Sequence, residues 1–206
     1  MSPKGLRIGL GQLPVAMGDK KANTAALFRG IEEAAKADCD VALFPECSLA
    51  GWLSASARSA AEEIPGPVTR KIAEAAKRHT MAVVVGLEER DGDRVYNSAV
   101  MIGPDGEILA RHRKINELEI GLQVYTRGGS LGVFEFEGRT MALDICADSW
   151  NPVVTDALVA MGARVILSPS AWAVDPGGEA TNIAWIQETY RQRTAGRDLT
   201  ILSPNG

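Results

Sequence analysis

Three side chains of complementary chemistry, Glu46, Lys114 and Cys146, each close an apolar or β-forming run in this 206-residue chain. Leu143-Asp144-Ile145-Cys146-Ala147-Asp148-Ser149-Trp150 reads as a strand that delivers one thiol to a polar turn. Leu43-Phe44-Pro45-Glu46 ends in a carboxylate, and Arg111-His112-Arg113-Lys114 ends in an ammonium. A free thiol, with a pKa of ~8.5, is mostly protonated at pH 7, so a cysteine nucleophile needs a carboxylate to take its proton or a cation to favour the thiolate. Glu46 and Lys114 supply those two types. Attack on a carbonyl or nitrile carbon places negative charge on oxygen or nitrogen, where the Lys114 ammonium and the backbone N–H of Ala147 can stabilise it. A thioester follows, hydrolysed by water that Glu46 activates. Each residue also has a plain structural reading: a buried small hydrophobe for Cys146, a solvated carboxylate for Glu46, and a hydrated basic face shared with Arg111 and Arg113 for Lys114.

The elements that must bring these residues together alternate in type. Arg7 to Gln12 reads as a strand and Asn23 to Ala37 as an amphipathic helix, with Asn23 or Thr24 as its cap and Ala25, Leu27, Phe28, Ile31 and Ala34 on the packing face. Val41 to Phe44 is a buried strand, Pro67 to His79 a helix, Met81 to Leu87 an apolar strand and Glu88 to Asp93 a polar turn. Tyr96 to Ile102 returns as a strand, and Gly103-Pro104-Asp105-Gly106 turns it into Glu107 to Arg111, which implies an antiparallel hairpin. Beyond an irregular stretch to Leu131 come strands at Val133 to Phe136 and Thr140 to Cys146, a helix around Val153 to Met161 and a strand from Arg164 to Leu167. A long helix from Ala180 to Thr194 and a strand near Leu199 to Ser203 complete the pattern. It reads as one α/β domain over residues 1–206 with helices covering the sheet faces. In such folds ligands collect at the carboxyl ends of strands, where distant side chains converge.

The bulk composition narrows the function. Net charge is −4, with 46% hydrophobic and 23% charged residues and no basic stripe, which points away from nucleic acid and toward a small-molecule substrate. No apolar run approaches the ~20 residues needed to span a bilayer and no leader pattern is evident, so a cytoplasmic protein is expected. Cys39, Cys47 and Cys146 do not make a disulfide framework, and with only His79 and His112 there is no zinc-ligand spacing, so no metal or other cofactor is expected.

Leu43-Phe44-Pro45-Glu46-Cys47-Ser48-Leu49-Ala50-Gly51-Trp52, then Arg113-Lys114-Ile115-Asn116, then Ile145-Cys146-Ala147-Asp148-Ser149-Trp150 resemble, in order, the three motif blocks of the carbon–nitrogen hydrolase (nitrilase) superfamily. Asn97-Ser98-Ala99-Val100 with Pro104-Asp105-Gly106, and Ser168-Pro169-Ser170-Ala171-Trp172, extend the resemblance from Arg7 almost to the last residue. It implies a four-layer α-β-β-α sandwich and a triad of glutamate base, lysine oxyanion stabiliser and cysteine nucleophile, carried onto Glu46, Lys114 and Cys146. It also implies no cofactor, self-association into a homo-oligomer, and further C-terminal strands beyond Asn205-Gly206. Family members often add a glutamate between the lysine and the nucleophile; Glu117 and Glu119 are both available, and Glu119 is favoured. The chain departs from the usual pattern at Asn116, at Pro152-Val153, and at Arg191 to Asp198, where an ion pair of the family is expected to be missing.

Ala147-Asp148 after the cysteine leans, by resemblance, toward a small amide or carbamoyl amide over a nitrile. Trp52, Tyr125, Trp150 and Trp172 lie beside the motifs; Trp150 and Trp172, with Glu119 and Ala147, are the substrate-binding candidates, although aromatic residues in such loops pack into the core as often. The alternatives are a nitrilase acting on a small nitrile and a catalytically silent binding or assembly subunit. A redox-sensing role for Cys146 lacks a nearby second cysteine to resolve the oxidised thiol.

Overall fold

The computed structural model describes residues 5–205, and within them two sheets stack between helices. The first sheet has the order β1 (Ile8–Leu10), β2 (Val41–Leu43), β3 (Ala82–Asp91), β4 (Arg94–Ile102), β5 (Ile108–Arg113). Its first three strands are parallel and its last three antiparallel. The second runs β6 (Val133–Phe136), β7 (Arg139–Leu143), β8 (Val165–Leu167), β9 (Thr200–Leu202), antiparallel at β6/β7 and parallel thereafter. The helices are α1 (Lys20–Lys36), the one-turn α2 (Ala57–Ala60), α3 (Pro67–His79), α4 (Pro152–Ala160) and α5 (Glu179–Thr194). None of them is long and apolar enough to cross a membrane.

Side chains that alternate along each strand decide the layering. Val41, Leu43, Ala82, Val84, Ala99 and Met101 face the second sheet and meet Met141, Leu143 and Leu167. Their neighbours Ala42, Phe44, Val83, Val85 and Leu87 point the other way, onto Leu27 and Ile31 of α1 and Ile72 and Ala76 of α3. On the far side Ala142 and Ile166 meet Val154 and Leu158 of α4. The order is therefore helix, sheet, sheet, helix, the four-layer α-β-β-α sandwich. Strands buried on both faces carry continuous apolar runs, which is why β2 and β3 read so clearly in the sequence.

Two expectations are corrected. The cap of α1 is Asp19, which accepts from the Ala22 N–H at 2.9 Å; Asn23 sits a turn inside the helix, with its amide bonded to the Ala16 and Leu49 carbonyls. The polar turn placed at Glu88 to Asp93 is strand as far as Asp91, and the chain reverses at Gly92, whose φ of 58° suits a residue without a Cβ. Glu88 and Glu89 belong inside because each finds buried hydrogen-bond donors, described below.

Candidate active site

Glu46 leaves the end of β2 in a tight turn over β3. Gly86 makes the turn possible: a Cβ there would fall 2.6 Å from Glu46 Cα and 2.8 Å from the Pro45 carbonyl oxygen. The Gly86 N–H donates to that carbonyl at 3.0 Å, and the Ser48 N–H donates to the Gly86 carbonyl at 2.8 Å. Lys114 follows β5 directly, its N–H donating to the Asn97 carbonyl and its own carbonyl accepting from Gly128. Cys146 follows β7 across Asp144 and Ile145 and opens a 3₁₀ turn, Cys146–Trp150. Cys47 and Cys146 have φ of 49° and 47°, a region costly for non-glycine residues, so each turn stores strain at or beside a reactive side chain.

The geometry brings the three sequence-predicted side chains together. Lys114 Nζ lies 2.7 Å from Glu46 Oε1, and both are almost fully buried. Asn97 donates to the same Glu46 oxygen at 2.6 Å, while the Ala171 N–H donates to Oε2 at 2.9 Å. Cys146 lines the same cavity as Glu46, Lys114 and Ala171. Burial, reinforced by the Glu46 charge, pushes the Cys146 thiol well above its ordinary value, against the opposing pull of Lys114. Cys146 is thus a thiol beside a base, and not a preformed thiolate. Burial works to lower Lys114, but Glu46, the Cys146 sulfur and Glu117 outweigh it and hold the ammonium above its usual value.

A second glutamate stands at this lysine, and it is Glu117, in place of the expected Glu119. Glu117 is buried with Oε1 3.6 Å from Lys114 Nζ, and it accepts from Asn97 at 3.3 Å, from Trp52 Nε1 at 3.4 Å and from the Leu118 N–H at 3.0 Å. Glu119 is exposed and starts the 3₁₀ turn Glu119–Gln123. The backbone between them turns away, so only the nearer carboxylate stays under the lysine. Burial raises the Glu117 carboxyl, Lys114 lowers it and Glu46 raises it again.

Trp150 and Trp172 do line the cavity above these groups, about 110 Å³ in volume, together with Trp52 and Trp185. Their rings stack with centroids 5.5 Å apart, and Trp185 packs edge-on to Trp150 at 4.8 Å. Ala147 is fully buried outside that wall, its carbonyl accepting from Asn116 Nδ2.

Sequence reasoning assigned no role to Asn97, Asp148, His112 or the α5 residues Asn182 and Trp185. Asp148 joins the cysteine turn to the lysine loop: Oδ1 accepts from the Ile115 and Asn116 N–H groups at 3.0 and 2.7 Å, and Oδ2 from the Ile145 N–H at 3.1 Å with His112 Nε2 2.7 Å away. Asn97 and Asp148 both lie in quoted motif blocks, so a signal existed. No local pattern marks Asn182 or Trp185, which reach the cavity only because α5 folds over it.

A family profile described as Carbon-nitrogen hydrolase matches residues 7–195. Among curated relatives, the chain is 28% identical over 181 residues to Omega-amidase NIT2 of Bos taurus, covering 83% of this chain and 65% of that one. It is 31% identical over 185 residues to the chloroplastic omega-amidase of Arabidopsis thaliana (82% and 50%) and 29% identical over 174 residues to an (R)-stereoselective amidase of a Pseudomonas species (84% and 62%). The chain thus spans 50% to 65% of the length of these relatives. A solved amidase from a Nesterenkonia species superposes with a TM-score of 0.85 at 20% identity, covering 100% of this chain and 77% of that one. A variant of that amidase, with acrylamide added to its active-site cysteine, matches at 0.85 and 21% identity over 98% of this chain and 78% of that one.

Proposed function

The chain belongs to the carbon–nitrogen hydrolase family, and from that premise we propose that it hydrolyses the C–N bond of a small amide through a thioester on Cys146. The carrying observation is one cavity lined by a thiol, a carboxylate and an ammonium: Lys114 Nζ stands 2.7 Å from Glu46, and the charges of both act on the Cys146 thiol. The curated relatives named above as amidases support the same reaction class.

In this reading Glu46 takes the Cys146 proton as Sγ attacks the amide carbon, which matches a thiol that burial keeps protonated until substrate arrives. Negative charge then develops on the carbonyl oxygen, where the Lys114 ammonium receives it. Glu46 passes its proton to the departing nitrogen, ammonia or an amine leaves, and a thioester remains. Water, deprotonated by Glu46, attacks that thioester, and the carboxylic acid and the thiol are released. Glu117 and Asn97 hold Lys114 and Glu46 in register during both halves.

Support for a small, uncharged acyl group comes from the cavity, whose walls carry four indoles and whose one cation among the described residues, Lys114, is already engaged by Glu46. An anionic acyl group would lose its hydration there without gaining a free partner. The test is ammonia release from a panel of short amides, with propionamide set against succinamate. Turnover of the neutral amides that vanishes in Cys146→Ala is expected; a Cys146→Ala protein that still releases ammonia overturns the reading.

A cytoplasmic setting and self-association complete the proposal. Three free cysteines suit a reducing compartment. Val153, Ile183 and Trp185 are 67%, 54% and 43% exposed and offer apolar surface for copies to cover. Sedimentation of the purified protein checks the second point.

A further inference from the structure

Glu88 is a buried carboxylate that the reaction above does not use. It lies on β3 two residues after Gly86, on the same face, and is 0% exposed. Its Oε1 accepts from the Ala50 N–H at 3.0 Å and its Oε2 from the Leu49 N–H at 3.2 Å. Both donors belong to the turn that starts at Pro45 and contains Glu46 and the strained Cys47. Across the strand pair its partner is Asn97, the residue that donates to Glu46 Oε1. Its sequence neighbour Glu89 points to the opposite face and meets Arg111 and Arg113. Among the described residues Glu88 pairs with no guanidinium, and its side-chain bonds go to backbone N–H groups of the turn.

We propose that Glu88 is a positioning residue for Glu46, its carboxylate clamping the turn so that the base stays aimed at Cys146. The proposal rests on the reading of Glu46 as the base. As a carboxylate, Glu88 takes both N–H groups with charge-assisted bonds; as a carboxylic acid it must also place an O–H, and its grip on the two N–H groups weakens. Burial pushes the Glu88 carboxyl up to about 7, against the pull of the backbone N–H groups and of Lys20. Cys47 on the turn and Tyr125 beyond β5 feel the Glu88 charge, Cys47 feels that of Glu46 as well, and Lys20 is itself paired with Glu62 at 2.8 Å. The clamp therefore closes as pH rises through about 7.

Stability moves the other way. A carboxyl raised in the folded state binds a proton there that the unfolded chain has released, so between the ordinary glutamate value and about 7 its contribution to stability falls as pH rises. A purely structural role would make function follow stability, whereas a clamp makes reactivity rise while this contribution declines.

The experiment measures alkylation of Cys146 by iodoacetamide from pH 5.5 to 8.5 in wild type, Glu88→Gln and Glu46→Gln, with a melting curve for each. Glu88→Gln is expected to melt as a folded protein and to label roughly tenfold slower than wild type at the upper end of the range, because a misplaced base loses rate steeply. The gap should close at the lower end, where wild-type Glu88 is itself neutral. Glu88→Gln labelling that follows wild type at every pH, beside a slowed Glu46→Gln, overturns the proposal alone. Glu46→Gln labelling that follows wild type overturns the reading of Glu46, and the proposal with it.

Discussion

Arg113 and Lys114 are consecutive cations, and each sits between two carboxylates, yet they do different work. Arg113 reaches Glu89 Oε1 at 2.5 Å and Asp91 at 2.8 Å, and its guanidinium lies 3.8 Å from the centroid of the Tyr96 ring. Its side chain is 22% exposed, beside an open polar cleft. Lys114, on the opposite face, is 2% exposed, 2.7 Å from Glu46 and 3.6 Å from Glu117, and lines the same cavity as the Cys146 thiol. Planar and forked, Arg113 satisfies its carboxylates and ties β5 to β3, whereas Lys114, a compact point charge, leaves its field directed at the sulfur. Residue composition is nearly the same on the two faces; burial and the neighbouring thiol make one of them a reaction centre.

Lys114→Met is the sharpest way to break that comparison. It should lower kcat for a neutral amide by at least about a hundredfold, the usual scale for losing an oxyanion donor, while circular dichroism still reports a folded sandwich. Asp148→Ala attacks the joint between the lysine loop and the cysteine turn. Leaving the Ile115, Asn116 and Ile145 N–H groups without their acceptor should cost about 3 kcal/mol or more in urea titrations, and turnover should fall by some tens of fold as the trio loosens. Glu117→Gln keeps the shape beside Lys114 but removes a charge; roughly a tenfold fall in kcat, with KM little changed, is expected from steady-state kinetics. Arg113→Met should have the smallest effect on turnover, within about twofold, and a stability loss of only ~1–2 kcal/mol by the same titration, because Arg113 is itself partly exposed and Arg111 and Ser98 stay on the buried Glu89. A large loss of kcat in Arg113→Met would remove the distinction between the two faces.

Most of the layering was legible in the sequence because doubly buried strands and amphipathic helices leave strong periodic signals. Pro67–His79 of α3 and Val133–Phe136 of β6 coincide with their predicted bounds. The misses have local causes. Glu88 and Glu89 look like turn residues because acidic residues mark solvent, but Glu88 meets the Leu49 and Ala50 N–H groups of the turn after β2 and Glu89 meets Ser98 on β4, partners distant in sequence. Strand ends alone leave Glu46, Lys114 and Cys146 each with a plain structural reading, and it is the three motif blocks, by their resemblance to the carbon–nitrogen hydrolase pattern, that single them out together. The choice between Glu117 and Glu119 was not visible, because the irregular backbone after β5 decides which side chain turns inward. Asn182 and Trp185 depend on how α5 crosses the cavity, a tertiary fact with no local signature.

The most direct measurement is the relative alkylation of the three cysteines at one pH near neutrality, read by peptide mass spectrometry in wild type, Glu46→Gln and Lys114→Met. Exposure alone ranks half-buried Cys39 above Cys146, which is 5% exposed, and puts Cys47 last at 0%. A base held against the thiol predicts instead that Cys146 labels first in wild type and that both substitutions slow it while Cys39 is unchanged. Labelling that follows exposure, and that neither substitution alters, would contradict the account.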